Sequence, residues 1–388
     1  MNEISLNSQA IILLTAYFNK DDKPLTITEY SKFASWLLEN NMKPSYLLEF
    51  DVLDILNNWN DIKITKERLI SLLNRGNAMA INLHKWQNSG IWVITRADSE
   101  YPKKLKSRLG HKAPPILYGS GNKKILNTLG VAIIGSRDAS SNDLEFSFKL
   151  GEKLAYSGYS VVSGGARGID ESSMLGSINA QGTTIGVVAD SLMQKVLSKK
   201  YRDAIMSDNL VLISPYYPEA RFNAGNAMGR NKYIYTLSES SIVVHSGLKG
   251  GTWEGAKENL KNSWVNLFVK KCDDKNAGNQ KLIDMGGNQL IENLLTIKSL
   301  DFLFKKEEQV INLEIVKKED TPLDKRILDL IEDQKLTIKE ISELLEETQK
   351  DVKKILDSLL ELGDIEKHNN KPLKFSKVAK LPGLFGDE

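Results

Sequence analysis

The 388-residue sequence has one cysteine, Cys272, and four histidines. A single thiol cannot build a disulfide framework or a cysteine-rich zinc site. His84, His111, His245 and His368 are scattered without metal-ligand spacing, so no metal and no other cofactor is expected. No apolar run approaches the roughly 20 residues that span a bilayer. The opening MNEISLNSQA has neither a basic n-region nor the apolar stretch of a signal peptide. These absences predict a soluble, cytoplasmic protein with no membrane association. Excess charge is also missing. Lys and Arg number 52 against 50 Asp and Glu, a net +2, so any nucleic-acid surface has to be a local patch. The hydrophobic fraction of 41% is enough for a sizeable core, and the length suits two or three domains.

The chain changes character along its length. Up to about residue 90 apolar residues recur at helical spacing: Ile12, Leu13 and Ala16, then Phe33, Trp36 and Leu37, with Thr65 placed to cap a further helix. Ile91–Thr95 reads as a strand and Pro114–Gly119 as an extended lead-in. From 130 to 270, apolar runs at 130–135, 159–163, 184–189, 210–214, 241–246 and 265–270 alternate with segments of helical length. That alternation predicts an α/β fold, a parallel sheet with helices on both faces. The stretch 190–230 is the exception. Tyr216-Tyr217-Pro218 and Asn223–Asn226 predict a long loop there. A charged linker over 301–320 precedes a unit at 321–376. In it Thr321-Pro322, the capping box Thr337–Glu340 and Thr348–Asp351 open three helices. Strand-like segments flanking Asn369-Asn370 then suggest a hairpin, which makes a winged helix; residues 377–388 are a tail.

Two strands run straight into glycine turns: Val131–Ile134 into Gly135-Ser136-Arg137, and Val161–Ser163 into Gly164-Gly165-Ala166-Arg167-Gly168. Glycine lets an anion approach free backbone N–H groups at a helix start, and an adjacent arginine can clamp two oxygens. The plain alternative is a tight strand–helix turn with a solvated arginine. Two such turns, about thirty residues apart on one sheet edge, favour a phosphate site. Asp170 is placed to cap the next helix and hold Arg167. Arg230, Asn231 and Lys232 bring further polar groups to that edge, and Lys249-Gly250-Gly251-Thr252 adds another glycine turn before a helix. Neither turn is G-x-G-x-x-G, and no acidic residue ends the second strand, which disfavours a dinucleotide dehydrogenase.

VAIIGSR, VVSGGARGID and GRNKYIYTLSESSIVVHSG resemble the Smf/DprA family of DNA-processing proteins. The lead-ins Ile91–Pro102 and Pro115–Gly119 fit as well, so the resemblance covers roughly residues 91–270. It implies an extended Rossmann fold over 91–300, preceded by a helical domain over 1–90 of SAM or helix-hairpin-helix type. It also implies single-stranded DNA in a basic pocket at the strand ends, a homodimer, a RecA-type recombinase as partner, and work in recombination or transformation, with a response to foreign DNA as one setting. Arg137, Gly164, Arg167, Arg230, Asn231 and Lys232 match its DNA-contacting motifs. The chain departs from the pattern in places. Phe222 precedes Asn223 where the family has Phe-Pro, and Lys249–Glu254 replaces Ser-Gly-Ser-Leu-Ile-Thr.

That replacement, with Met228–Lys232, is similar to the Arg-Lys and Gly-Gly-x-Gly-Thr-x-x-Glu motifs of cytokinin-activating phosphoribohydrolases. There the resemblance would make Glu254 and Arg230 catalytic for nucleoside monophosphates. The spacing before Glu254 is shortened, which favours the plain explanation that the helix dipole places an acid there. The expected single-strand site therefore comprises Gly135, Ser136, Arg137, Ser163, Gly164, Gly165, Arg167, Gly168, Arg230, Asn231, Lys232, Lys249, Gly250, Gly251 and Thr252. Tyr233, Tyr235 or Trp253 would supply base stacking. A nucleotide-hydrolysing enzyme or sensor, and a regulator acting through the winged helix, stand as alternatives.

Overall fold

The computed structural model describes residues 4–19, 23–272, 274, 276–304, 323–331, 335–345, 347–368 and 373–377. Two compact units divide the chain, residues 1–308 and 309–388. Thr321-Pro322, most of the expected linker, the Asn369-Asn370 turn with Lys371, and residues 378–388 lie outside the described residues.

The first unit begins with helices α1 (Leu6–Thr15), α2 (Ile27–Glu39), α3 (Tyr46–Glu49), α4 (Val52–Ile55), α5 (Lys66–Leu73) and α6 (Gly76–Asn88). Their starts follow local chemistry. Thr26 and Glu29 close a capping box on α2, and the Thr65 hydroxyl accepts from Arg68 N on α5. Next come β1 (Trp92–Thr95), α7 (Lys103–Leu109), β2 (Ile116–Gly121), β3 (Gly130–Ile134), α8 (Ser141–Tyr156), β4 (Ser160–Ser163), α9 (Ile169–Asn179) and β5 (Thr184–Val187). They are followed by α10 (Leu192–Leu197), α11 (Lys199–Met206), β6 (Leu210–Ser214), α12 (Ala224–Leu237), β7 (Ser240–Val243), α13 (Gly251–Asn262), β8 (Asn266–Val269), α14 (Asn279–Asp284) and β9 (Asn288–Gln289).

Among the described residues the nine strands form one sheet in the order β1-β2-β6-β5-β4-β3-β7-β8-β9. From β6 to β9 every pairing is parallel; β2 is antiparallel to both β6 and β1. The strand alternation sorts side chains onto two faces. Val131, Ile133, Leu210 and Leu212 join a buried cluster with Ile11, Phe33 and Trp86 from the N-terminal helices. Ala132, Ile134, Val211 and Ile213 face the other way, onto Tyr233, Ile234 and Leu237.

The expected strands appear, with β5 ending at Val187 and β7 at Val243, short of the predicted ends. The stretch 190–230 is not a long loop. It holds α10, α11, β6 and the start of α12, where the Asn223 side chain accepts from Asn226 N and caps the helix. Pro215 and Pro218 lie in the connection from β6 to α12, whereas Gly225 and Gly229 are inside α12.

The second unit, taken by itself, has α15 (Leu323–Leu330), α16 (Ile338–Leu345) and α17 (Gln349–Leu362), then β10 (Ile365–His368) paired antiparallel with β11 (Lys374–Lys377). Ile327, Ile341, Val352, Leu356, Ile365 and Phe375 form its own buried core. Gly363 ends α17 at φ 76°, a left-handed cap suited to glycine.

Candidate functional site

The sheet order reverses direction between β3 and β7. Connections from β3 lead through β4 and β5 to one side, while β7 and β8 extend the other. In an open α/β sheet the crevice at the carboxyl ends of such a pair is where ligands bind. The glycine turns lie at that crevice.

The first turn follows Ile134. Ser136 N donates to His245 O at 2.9 Å, which ties the turn to the end of β7. A side chain on Gly135 would collide with Ile169, so glycine brings the start of α9 close. Arg137 leaves this turn with its guanidinium carbon 5.2 Å from the Phe222 ring centroid.

The second turn follows β4. Ser163 is fully buried and its hydroxyl donates to Ile133 O at 2.6 Å, so it braces the two strands and does not face the crevice. Gly168 has φ +97°, with any Cβ blocked by the backbone of Ser136 and Arg137. The two turns are therefore in direct contact, as two separate sequence motifs could not reveal.

Asp170 does not hold Arg167. It is 6% exposed on the inward side of α9 and accepts from Gly135 N at 3.3 Å. Arg167 instead pairs with Asp138 at 2.7 Å, and both side chains are open to solvent. The charge facing Asp170 is Arg230. Burial pushes the Asp170 carboxyl up to about 6, with Arg230 and the N–H groups of Gly135 and Gly164 opposing that rise. Burial likewise lowers the Arg230 guanidinium, which Asp170 counteracts.

Arg230 lies within α12, on its buried face, and is only 4% exposed. Its Nη1 donates to Val187 O at 2.6 Å, and its Nε has no hydrogen-bond partner among the described residues. Helical rotation sends the next residues elsewhere. Asn231 donates to Gly251 O at 2.9 Å and fastens α12 to the glycine turn at Lys249–Thr252. Lys232 turns off the site, its Nζ 5.1 Å from the Tyr233 ring centroid, with burial lowering its ammonium.

None of the expected rings is free to stack a base. Tyr233 and Tyr235 are 2% and 1% exposed in the core. Trp253 packs over Gly278 and beside Lys257. The ring that does stand in the crevice is Phe222, 57% exposed. Its position before the Arg230 segment was the available sequence signal, but exposure depends on how the chain enters α12.

The remaining glycine turn brings Lys249, Gly250, Gly251 and Thr252 to the same place. Glu254, one turn into α13, faces Lys257 at 3.4 Å, and does not line this crevice. It is not opposite Arg230.

The crevice has two lobes. One, of 410 Å³, is lined by Gly135–Asp138, Asp170, Asn231 and Lys249–Thr252. The other, of 270 Å³, is lined by Gly164–Arg167, Asp190 and Lys195. Arg137, Ala166, Phe222, Ala227 and Arg230 border both. Gly168 and Ser163 support these walls from outside, and Lys232 lines neither lobe. A larger cavity of 1090 Å³ opens near Leu129, Tyr159, Glu239 and Trp264, at the amino ends of the strands. It lacks the glycine turns, and its Glu239 is already paired with Arg108. Size ranks it higher, but chemistry favours the two-lobed crevice.

Residues 92–300, more than half of the chain, match the family model described as DNA recombination-mediator protein A. The DNA processing protein DprA of Bacillus subtilis (strain 168) is 30% identical over 172 residues, 44% of this chain and 57% of that protein. Protein Smf of Synechocystis is 28% identical over 249 residues, 61% of this chain and 62% of that protein. The match thus spans less than two thirds of either relative. The X-ray structure of DNA processing protein A from Streptococcus pneumoniae superposes with a TM-score of 0.59 at 18% identity, covering 76% of this chain and 99% of that one, which shows a shared fold.

Proposed function

The chain belongs to the DNA recombination-mediator protein A family, and we propose from that premise that it binds single-stranded DNA in the two-lobed crevice and acts in DNA processing. The observation that carries this reading is the Arg137 guanidinium stacked on an exposed Phe222 between two cationic lobes. An exposed ring beside a guanidinium serves a strand in both its parts. The ring takes a base face, and the cation takes the neighbouring phosphate. The glycine turns add backbone approach without a sequence preference of their own.

Several family properties enter on the same footing: a homodimer, a RecA-type recombinase as partner, and a place in recombination, transformation or the response to foreign DNA. The second unit is read as a winged helix, with Lys367 and Lys374 on its hairpin for duplex DNA or a protein surface. A phosphoribohydrolase reading has no comparable support, because Glu254 faces Lys257 instead of Arg230.

The test is a titration of labelled oligonucleotide against the full chain at two salt concentrations, with a nucleoside monophosphate as competitor. Affinity should fall with salt by about 0.7 log units per log unit for each phosphate neutralised. The mononucleotide should compete weakly. Failure to bind, or binding indifferent to salt, overturns the proposal.

A further inference from the structure

The smaller lobe contains a group that a phosphate site does not need. Asp190 follows β5 and lines this lobe with Gly164, Gly165 and Lys195. Its carboxylate is 3.7 Å from Lys195 Nζ, beyond hydrogen-bond length, and its side chain is 38% exposed. Lys195 donates instead to Gly165 O at 3.2 Å. Ser191, not Asp190, caps α10. Asp190 is thus left with acceptor lone pairs open to the lobe, and no described residue donates a hydrogen bond to it.

A carboxylate among Arg137, Arg167, Lys195 and Arg230 weakens the attraction for phosphate that those cations create. A base edge offers what it can use. Cytosine, adenine and guanine carry exocyclic amino donors. Thymine presents two carbonyl oxygens on either side of its one ring N–H, and these oppose a carboxylate. Single-stranded bases expose these edges, and Phe222, a wall of the same lobe, supplies a face on which a base can stack. The larger lobe, with its glycine turns and Lys249, is the better match for phosphate.

We propose that Asp190 is a specificity-determining residue, which accepts a hydrogen bond from the exocyclic amino group of a base held against Phe222 in the smaller lobe and so disfavours thymine there. This rests on the single-strand reading of the crevice.

The experiment compares binding of the full chain to oligo-dC and oligo-dT of equal length, for the parent, Asp190→Ala and Asp190→Asn, with melting curves to confirm folding. The parent should prefer oligo-dC by about tenfold, the scale of one well-placed base contact. Both variants should bring the ratio close to one, with oligo-dT bound at least as tightly as by the parent. Equal binding of the two strands by the parent overturns the proposal. A preference that survives in Asp190→Ala does so too. An equal loss on both strands in the variants would assign Asp190 to holding Lys195 and also overturn it. Failure of the parent to bind either strand would remove the underlying single-strand reading, a separate and visible result.

Discussion

The backbone of Gly164 lies against the guanidinium of Arg230, with no room between them for a Cβ. The same added carbon would also strike the Asp170 carboxylate. A glycine turn at the end of β4 therefore leaves room for two buried groups of opposite charge, Asp170 and Arg230, beneath the crevice. Gly164→Ala should push Arg230 out of register with Val187 O. We expect a destabilisation of roughly 1–3 kcal/mol from overpacking and at least a tenfold loss of single-strand affinity. Arg230→Ala should be worse for stability, about 3–5 kcal/mol, because it leaves Asp170 buried without its partner. Melting curves beside anisotropy titrations separate the two effects. A Gly164→Ala protein that melts and binds like the parent would refute this packing account.

Arg137 and Arg167 are not equivalent, although each follows a glycine turn. Arg137 is stacked on Phe222 at the boundary of both lobes, while Arg167 is held by Asp138 in solvent. Arg137→Ala should weaken single-strand binding by about tenfold or more. Arg167→Ala should lose only a few-fold, since an exposed pair contributes little beyond its charge. Phe222→Ala should lose about fivefold or more through lost stacking, and Phe222→Trp should retain binding. The ranking is the check: Arg167→Ala proving the most damaging of the three would relocate the site to the Asp138 side.

How far the sequence discloses this site depends on how local each feature is. The turns after Val131–Ile134 and Val161–Ser163 are legible because an apolar strand stops at glycine and the next helix starts within a few residues. Thr337 and Thr348 likewise announce their helices by cap chemistry alone. The sequence marks Arg230 as a site residue but puts it at the end of a stretch that reads as a loop, because Tyr216-Tyr217-Pro218 and Asn223–Asn226 are turn-forming. Only packing shows that it lies on the inward face of α12. Tyr233 and Tyr235 fail as stacking rings for the same reason. Asp170 finds Arg230, some sixty residues away, through a tertiary approach that no local pattern encodes. Phe222 is exposed because the chain passes over the crevice before entering α12, which composition cannot report.

The Asp170 carboxyl is raised from 3.8 to about 6 chiefly by burial. A group raised on folding contributes stability that is fully present below its unfolded pKa and lost as pH rises through the folded value. This contribution should thus fade between about pH 4 and pH 6 and be absent at pH 7. Binding has the same sign. A phosphate in the larger lobe, which Asp170 lines, disfavours the carboxylate further, so binding takes up a proton. Single-strand affinity should rise severalfold as pH falls from about 8 to about 6, measured at constant ionic strength. Asp170→Asn, folded as judged by its melting curve, should flatten that slope. An unchanged slope in the variant would place the titrating group elsewhere.

Glu254 separates a binding protein from an enzyme. It sits in the first turn of α13, where a negative charge is favoured by the helix dipole, and it pairs with Lys257. Hydrolysis of a glycosidic bond would need that carboxylate beside the sugar while Arg230 gripped the phosphate. The shortened spacing after Gly250 leaves Glu254 outside the walls of both lobes, and Arg230 is buried, donating to Val187 O under the field of Asp170. Glu254→Gln should therefore bind single strands within about twofold of the parent, the scale expected for an exposed helical ion pair. Neither protein should release free base from nucleoside monophosphates in a chromatographic assay. Base release by the parent that disappears in Glu254→Gln would make the crevice catalytic, and would require the α13 turn to move the carboxylate toward Arg230 when a nucleotide binds.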